Sequence, residues 1–284
     1  MTTTVLAAEI GQFWNFSTTG HLLSYSFVWQ ATLAIGLLGL IGGLLGPMVV
    51  ARQMSFAVHG ASELSFTGAA AALWAGVGVN IGGVIGAVVA AAIFGLLGRR
   101  ARERDSVIGV VMAFGLGLGV LFLSLQGRVG TGFALLTGQV VSVGSGGLIA
   151  VGVTAAVVVV VYAIIYRPLL FASLDPRVAE TAGVPTRLLS VIFAVLVGLA
   201  AAQGVQIIGA LLVMSLLITP AAAAARLSAN PTVVLVLSIV FAELAAVGGL
   251  ILSLAPELPV SVLVTTISFA IYVICRVVGM KRRD

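Results

Sequence analysis

Long apolar stretches recur along the whole chain, each broken by glycine, proline or charged residues. Each stretch is close to the roughly 20 residues that an α-helix needs to cross a bilayer. The sixth and seventh are short and are separated only by residues 203–206. The pattern therefore predicts an all-α, polytopic bundle of eight or nine transmembrane spans. The stretches fall near residues 26–51, 55–78, 80–98, 106–126, 146–166, 188–204, 206–225, 232–254 and 260–279.

Basic residues predict the orientation of this bundle. With the N-terminus outside and nine alternating spans, only Arg128 of the 14 lysines and arginines lies outside the cell. Cytoplasmic loops carry such an excess of Lys and Arg, so the C-terminus is predicted to be cytoplasmic. The predicted parts are an extracytoplasmic segment (1–25), a transmembrane domain (26–280) and a cytoplasmic tail (281–284).

Composition narrows the class of protein further. The chain has 284 residues, 61% hydrophobic and 8% charged, against about 25% charged in soluble domains. No G-x-x-x-x-G-K-[ST] motif is present, which excludes a P-loop nucleotide site of the usual kind. Cys275 is the single cysteine, so an intrachain disulfide is excluded.

The basic residues are spread over loops and do not form a stripe, so we expect no nucleic-acid partner. Gly39, Gly43, Gly82 and Gly86 belong to four-residue repeats that favour close helix packing.

Three ionisable residues within the spans are candidates for function, because such groups are costly inside a membrane. His59 and Glu63 are four residues apart, which places them one turn apart on one helix face. An imidazole and a carboxylate suit Zn, Fe or Mn, but the same two groups would also satisfy each other by a hydrogen bond. Glu243 has no basic neighbour at helical spacing. It either lines a water-filled path or is protonated and bonded to a backbone carbonyl.

Residues 167–187 form the longest polar stretch inside the transmembrane domain. Asp175 followed by proline predicts the start of a short helix, with aspartate as N-cap and proline at the first helical position. Gly183 predicts its end. On the topology above this segment is cytoplasmic, where it is either a well-formed loop or a docking surface for a soluble partner.

Several motifs together resemble one known family, the permeases of zinc, manganese and iron ABC transporters. The stretch GPMVVARQMSFAVHGASELSFTGAA is similar to its first and second spans, which read roughly G-x-x-x-V-x-R-R-M-S-[FY] and then Asp, three residues and His. RDSVIGVVMAFGLGLG, LLTGQVVSV, LDPRVAETAGVPTRLL and IGALLVMSLLITPAAAAARLS resemble its later segments. The matches run in the family's order from about Gly46 to Arg226.

The resemblance implies a multi-pass subunit of the bacterial inner membrane that imports a divalent metal ion (Zn, Mn or Fe), and not an enzyme. It implies no permanently bound cofactor. Its partners would be the lipid bilayer, a second copy of the permease, two cytoplasmic ATPase subunits that bind ATP, and an extracytoplasmic metal-binding protein. Asp175, Glu180 and Gly183 fall in the part that couples to the ATPase. His59 and Glu63 occupy the family's Asp and His positions, with the order inverted, and are predicted metal ligands.

The sequence departs from the family pattern at two places. Gln139 stands where the family usually has Asp or Asn, and Pro259 is followed by valine and serine instead of a small residue and glycine.

Three other functions are possible for this sequence. One rival function is an ion-coupled secondary transporter with Glu243 as relay. Another is a membrane-embedded metalloenzyme that uses His59 and Glu63, for which the supply of further ligands is poor. The third, an importer of siderophore or cobalamin, is disfavoured by so small an ionisable pair.

Overall fold

The computed structural model describes residues 20–22, 24–96, 101–127, 144–256 and 258–281, apart from the side chains of 101–104, 210, 211 and 281. Within these ranges the chain consists of α-helices joined by turns, without a β-strand, as the sequence predicts. The helices are α1 (Ser26–Ala51), α2 (Ser55–Trp74), α3 (Val79–Leu96), α4 (Ala101–Leu125), α5 (Ser145–Leu174), α6 (Pro176–Thr181), α7 (Thr186–Ile208), α8 (Ala210–Leu217), α9 (Thr219–Leu227), α10 (Pro231–Leu254) and α11 (Val260–Lys281).

Among the described residues, seven helices are long and apolar enough to cross a membrane: α1, α3, α4, α5, α7, α10 and α11. Helix α2 has 20 residues, but His59, Glu63 and its serines make it more polar than those seven. The seventh predicted stretch, 206–225, forms two short helices, α8 and α9, in place of one continuous span. These features establish a multi-pass membrane protein, while the predicted count of eight or nine spans remains a prediction.

The boundary between the sixth and seventh stretches is not where the sequence predicts it. Helix α7 continues through residues 203–206 and ends at Ile208, and the chain breaks at Gly209. Gly209 has φ 90° and ψ 156°, a conformation essentially restricted to glycine because a Cβ atom would clash with the backbone. Its N–H still donates to the carbonyls of Gly204 and Val205. Gly204 stays helical, and the break occurs at Gly209.

Glycines bring the helices into close contact, as the four-residue spacing predicts. Helices α1 and α10 run antiparallel, and a Cβ atom added to Gly43 would lie 2.5 Å from the Ile239 Cα atom. On the other side of the bundle, Gly82 and Gly86 of α3 pack directly against Gly68 of α2. Backbone contact of this kind gives van der Waals attraction where lipid supplies no hydrophobic drive between helices.

Several predictions lie outside the described residues. They include most of the extracytoplasmic segment 1–25, the last residues of the tail 281–284, and the positions Arg99, Arg100, Arg128 and Gln139. The orientation of the termini and these domain boundaries therefore stay predictions. The structure does show which helix ends lie together. Helices α1, α3 and α5 end at the same side of the bundle at which α2 and α7 begin. We call this side the basic end.

Candidate metal path and coupling segment

His59 and Glu63 lie in the second and third turns of α2, on the same face, as the spacing predicts. Helix α2 packs against α3, α4, α7 and α8, so this face is within the bundle. Glu63 is 7% exposed and His59 is half-buried. Next to them, Gly60 lets α2 approach Phe94 of α3 and Ile108 of α4. The pair is therefore held on a helix fixed by tight packing.

The imidazole of His59 has an unused polar atom. Its Nδ1 is buried and has no hydrogen-bond partner among the described residues. No hydrogen bond joins this imidazole to the Glu63 carboxylate within the described part of the chain, and the Phe56 ring lies 6.3 Å from the imidazole between centroids. Buried polar atoms are normally paired. The buried nitrogen and the carboxylate one turn away therefore form a pair of candidate ligand groups on one face of α2.

The described part of one chain does not bring together enough donors for a closed metal site. Across the described ranges, no three His, Cys, Asp or Glu side chains come together, whereas a structural zinc site has four ligands. The His59–Glu63 pair offers one nitrogen and one carboxylate. An imidazole nitrogen and a carboxylate are ligand types that Zn²⁺, Fe²⁺ and Mn²⁺ accept.

Glu243 lies at a different interface. Its carboxylate packs on α1, where a Cβ atom added to Gly39 would lie 3.2 Å from Glu243 Oε1 and one added to Gly36 would lie 3.6 Å from Oε2. Helix α10 packs mainly against α1, α9 and α11, while α2 packs mainly against α3, α4 and α7. The structure thus brings His59 and Glu63 together and places Glu243 apart from them.

The predicted short helix at the basic end is confirmed as α6. The Asp175 carboxylate accepts hydrogen bonds of 3.1 Å from the backbone N–H groups of Arg177 and Val178, which satisfies two of the unpaired donors at a helix start. Gly183 closes the helix with φ +82°. The polar segment is shorter than 167–187, because residues 167–174 continue α5, where Leu169 and Ala172 keep its buried side facing the bundle.

Helix α6 is tied to the start of α7 by a side-chain hydrogen bond. Thr186 Oγ1 donates to Glu180 Oε1 at 2.8 Å. Thr186 is 6% exposed, so the bond anchors an otherwise exposed carboxylate at the edge of the bundle. Glu180 therefore has a structural contact that the sequence does not indicate.

A cleft of about 700 Å³ opens beside α6 at the basic end. Its walls come from the α1–α2 turn and from the adjoining ends of α3, α5, α6 and α7. The polar residues that line it are Arg52, Gln53, Ser173, Glu180, Thr186, Arg187 and Ser190. The cleft joins the short helix to the turn that leads into α2.

Sequence reasoning misses one residue of this region, Arg52. Its Nη1 donates to Ser173 Oγ of α5 at 3.0 Å, and its Nη2 donates to Ser190 Oγ of α7. In the sequence Arg52 counts only as one of the basic residues of a cytoplasmic loop. Its partners lie 121 and 138 residues away along the sequence. The only sequence signal for Arg52 is therefore its place in ARQMSF, a motif that resembles the family pattern.

The described chain is thus a packed bundle of apolar helices with an ionisable pair inside it and a capped polar helix at one end. The profile of the ABC 3 transport family matches residues 24–279. The chain therefore belongs to the ABC 3 transport family, and the resemblance to metal ABC permeases is confirmed.

Named relatives agree with this assignment. The manganese transport system membrane protein MntC of Halalkalibacterium halodurans is 31% identical over 240 residues, which cover 82% of this chain and 80% of the relative. The manganese import system permease protein ScaB of Streptococcus parasanguinis is 26% identical over 266 residues, covering 92% and 94%.

A solved structure shares the fold. The chain superposes on PsaBC from Streptococcus pneumoniae, solved in complex with Fab, with a TM-score of 0.82 and 22% identity, covering 94% of this chain and 99% of that one. At this identity the likeness concerns the arrangement of helices alone.

Proposed function

We propose that this chain is the permease subunit of an ATP-driven importer for a divalent transition-metal ion. The observation that carries the proposal is the His59–Glu63 pair: two donors one turn apart within the bundle, with His59 Nδ1 buried and unpaired. Membership of the ABC 3 transport family and the names of the relatives support it. Because two relatives are named for manganese, Mn²⁺ is the first ion to test, with Zn²⁺ and Fe²⁺ beside it.

The free energy of moving an ion out of water explains why such a path needs ligands. Moving even a monovalent ion unassisted into a medium of low dielectric constant costs tens of kcal/mol, and a doubly charged ion costs more. In the proposal, two copies of the chain meet so that two His59 and two Glu63 side chains contribute to the path. Two nitrogens and two carboxylates suit tetrahedral Zn²⁺, whereas Mn²⁺ would add water or carbonyl oxygens.

Energy for transport comes, in the proposal, from a separate pair of ATPase subunits in the cytoplasm. The segment with Asp175, Glu180 and Gly183 contacts them at the basic end, and ATP binding there shifts the permease between outward and inward access. An extracytoplasmic metal-binding protein delivers the ion to the opposite end. The N-terminus lies outside a bacterial inner membrane, the C-terminus lies in the cytoplasm, and α2 and the α8–α9 pair cross the membrane in addition to the seven span-length helices.

The experiment is metal uptake into proteoliposomes that contain the permease and its ATPase, with the extracytoplasmic metal-binding protein supplied on the side from which the ion enters. Wild-type complex is expected to take up Mn²⁺ or Zn²⁺ only with ATP, and the His59→Ala/Glu63→Ala double variant to lose that uptake. His21→Ala is the matched control, because His21 is the chain's other histidine and is exposed. Undiminished uptake by the double variant would refute the assignment of the pair. Uptake that ignores ATP and collapses with the proton gradient would refute the ATP-driven proposal and favour a secondary transporter.

A further inference from the structure

The turn between α1 and α2 is short and rigidly bonded. It consists of Arg52, Gln53 and Met54, and its backbone N–H groups donate to Met48, Val50 and Val49 of α1. Gln53 adopts a left-handed conformation with φ 54°. Helix α2 begins at Ser55, and His59 follows about 6 Å further along the helix axis. A displacement of this turn therefore displaces the helix that carries the His59–Glu63 pair.

Arg52 fastens this turn to two other helices at once. Its guanidinium bonds Ser173 near the end of α5 and Ser190 in the first turns of α7. Each serine hydroxyl donates its own proton within its helix, Ser173 to the Leu169 carbonyl at 2.6 Å and Ser190 to the Thr186 carbonyl at 2.8 Å. Both hydroxyl oxygens are thus left to accept from arginine. The planar guanidinium presents its N–H groups in a fixed fork, so the three positions are held in one geometry.

The same contacts continue to α6. Ser190 Oγ donates to the backbone carbonyl of Thr186, and the Thr186 hydroxyl donates to Glu180. A series of contacts therefore runs from Glu180 of α6 through the side chain and backbone of Thr186 to Ser190, which accepts from Arg52. The series lines the 700 Å³ cleft, which leaves room on one side for these groups to move.

We infer that Arg52 is a positioning residue that transmits movement of the α6 segment to α2, and so to the His59–Glu63 pair. This inference rests on the proposed function, because it gives the coupling segment a physical connection to the metal ligands. In this inference Arg52 is neither a metal ligand nor an ATP contact. It acts by making the α1–α2 turn follow the ends of α5 and α7.

The test measures the metal ions transported per ATP hydrolysed by the reconstituted complex. In Arg52→Gln, both bonds of the guanidinium fork are lost, and the ratio is expected to fall about tenfold, the scale of losing charge-assisted hydrogen bonds. Arg52→Lys keeps the charge but has no planar fork, so an intermediate ratio is expected. The matched control is Arg167→Gln, which removes an exposed arginine of α5 and is expected to leave the ratio at the wild-type value.

A second variant tests the inference even if Arg52→Gln does not fold. Ser173→Ala with Ser190→Ala keeps the arginine and removes both acceptors, and it is expected to lower the ratio in the same way while Mn²⁺ binding to the purified complex stays unchanged. A wild-type ratio in this variant would overturn the inference, as would a wild-type ratio in folded Arg52→Gln. Loss of Mn²⁺ binding together with uptake would also overturn it, because Arg52 would then act on the site itself. Absence of ATP-dependent uptake in the wild-type complex would instead refute the proposed function.

Discussion

Thr186 Oγ1 donates a 2.8 Å hydrogen bond to Glu180 Oε1 and so links α6 to the first residue of α7. The donor is buried and the acceptor belongs to an exposed helix of six residues. A helix this short is not stable by itself in water. Its Asp175 cap, the Gly183 turn and the Thr186 bond therefore decide whether it keeps its shape.

Thr186→Val should loosen α6 without disturbing α7, because valine keeps the branched shape and loses only the hydroxyl. We expect the backbone amides of residues 177–184 to exchange with solvent between about twofold and tenfold faster, since the acceptor is solvent-exposed. Hydrogen exchange followed by mass spectrometry measures this. Thr181→Val is the control, because its hydroxyl bonds only the Val178 carbonyl within α6. Equal protection in the two variants would show that the Thr186 bond does not stabilise the helix.

The order of the metal-ligand pair should be interchangeable. His59→Asp combined with Glu63→His restores the carboxylate-then-imidazole order that the family pattern has, with the same one-turn spacing. We expect this double variant to retain ATP-dependent metal uptake within about tenfold of wild type, while His59→Ala alone loses one of two donors and falls further. Uptake by each variant is compared at equal amounts of complex. A swapped pair as inactive as the alanine variant would mean that the depth of each donor matters more than its chemistry.

Glu243 should be dispensable for transport as a charged group. Glu243→Gln has nearly the same shape and keeps the packing on Gly36 and Gly39 of α1. Because this carboxylate lies at the α1–α10 interface and apart from His59 and Glu63, we expect wild-type uptake. Glu63→Gln, the same change on α2, is expected to abolish it. Lost uptake in Glu243→Gln would support a relay role for this residue.

Gly43 and Gly46 are expected to be the most sensitive of the α1 glycines, because a Cβ atom added to either would lie 2.5 Å from the backbone of another helix. An alanine at position 43 would place Cβ 2.5 Å from the backbone of Ile239, and backbone cannot yield as a flexible side chain does. Overpacking of this kind costs about 1–3 kcal/mol. Thermal unfolding in detergent should show a lower midpoint for Gly43→Ala. Gly152→Ala on α5 is the control, since nothing lies within 4 Å of its added Cβ, and its midpoint should be unchanged or slightly higher.

Gly209→Ala tests the break between α7 and α8. At φ 90° and ψ 156°, an L-residue is strained by about 1–3 kcal/mol. We expect a lower unfolding midpoint, or a shift of the break with loss of uptake. Gly146→Ala, at a helical position with open space around its Cβ, provides the comparison. An unaltered midpoint and unaltered uptake in Gly209→Ala would show that the break is not needed.

Features that depend on short-range rules follow from the sequence alone. Membrane length and hydropathy predict eight of the helices near their observed places, because 20 apolar residues have few other stable arrangements in a bilayer. Asp175, Pro176 and Gly183 predict α6, because caps act on the nearest N–H and carbonyl groups. The four-residue spacing of His59 and Glu63 fixes them on one face for the same reason.

Only the tertiary structure decides the relationships between distant parts of the chain. Nothing near Arg52 in sequence indicates Ser173 or Ser190, and nothing near Glu243 indicates Gly36 or Gly39. The break at Gly209 instead of residues 203–206 also depends on how α7 packs, since each of several glycines satisfies the local rules. Local rules determine which segments are helical, but long-range contacts depend on the angle and depth at which helices pack, and those are set by all the side chains together.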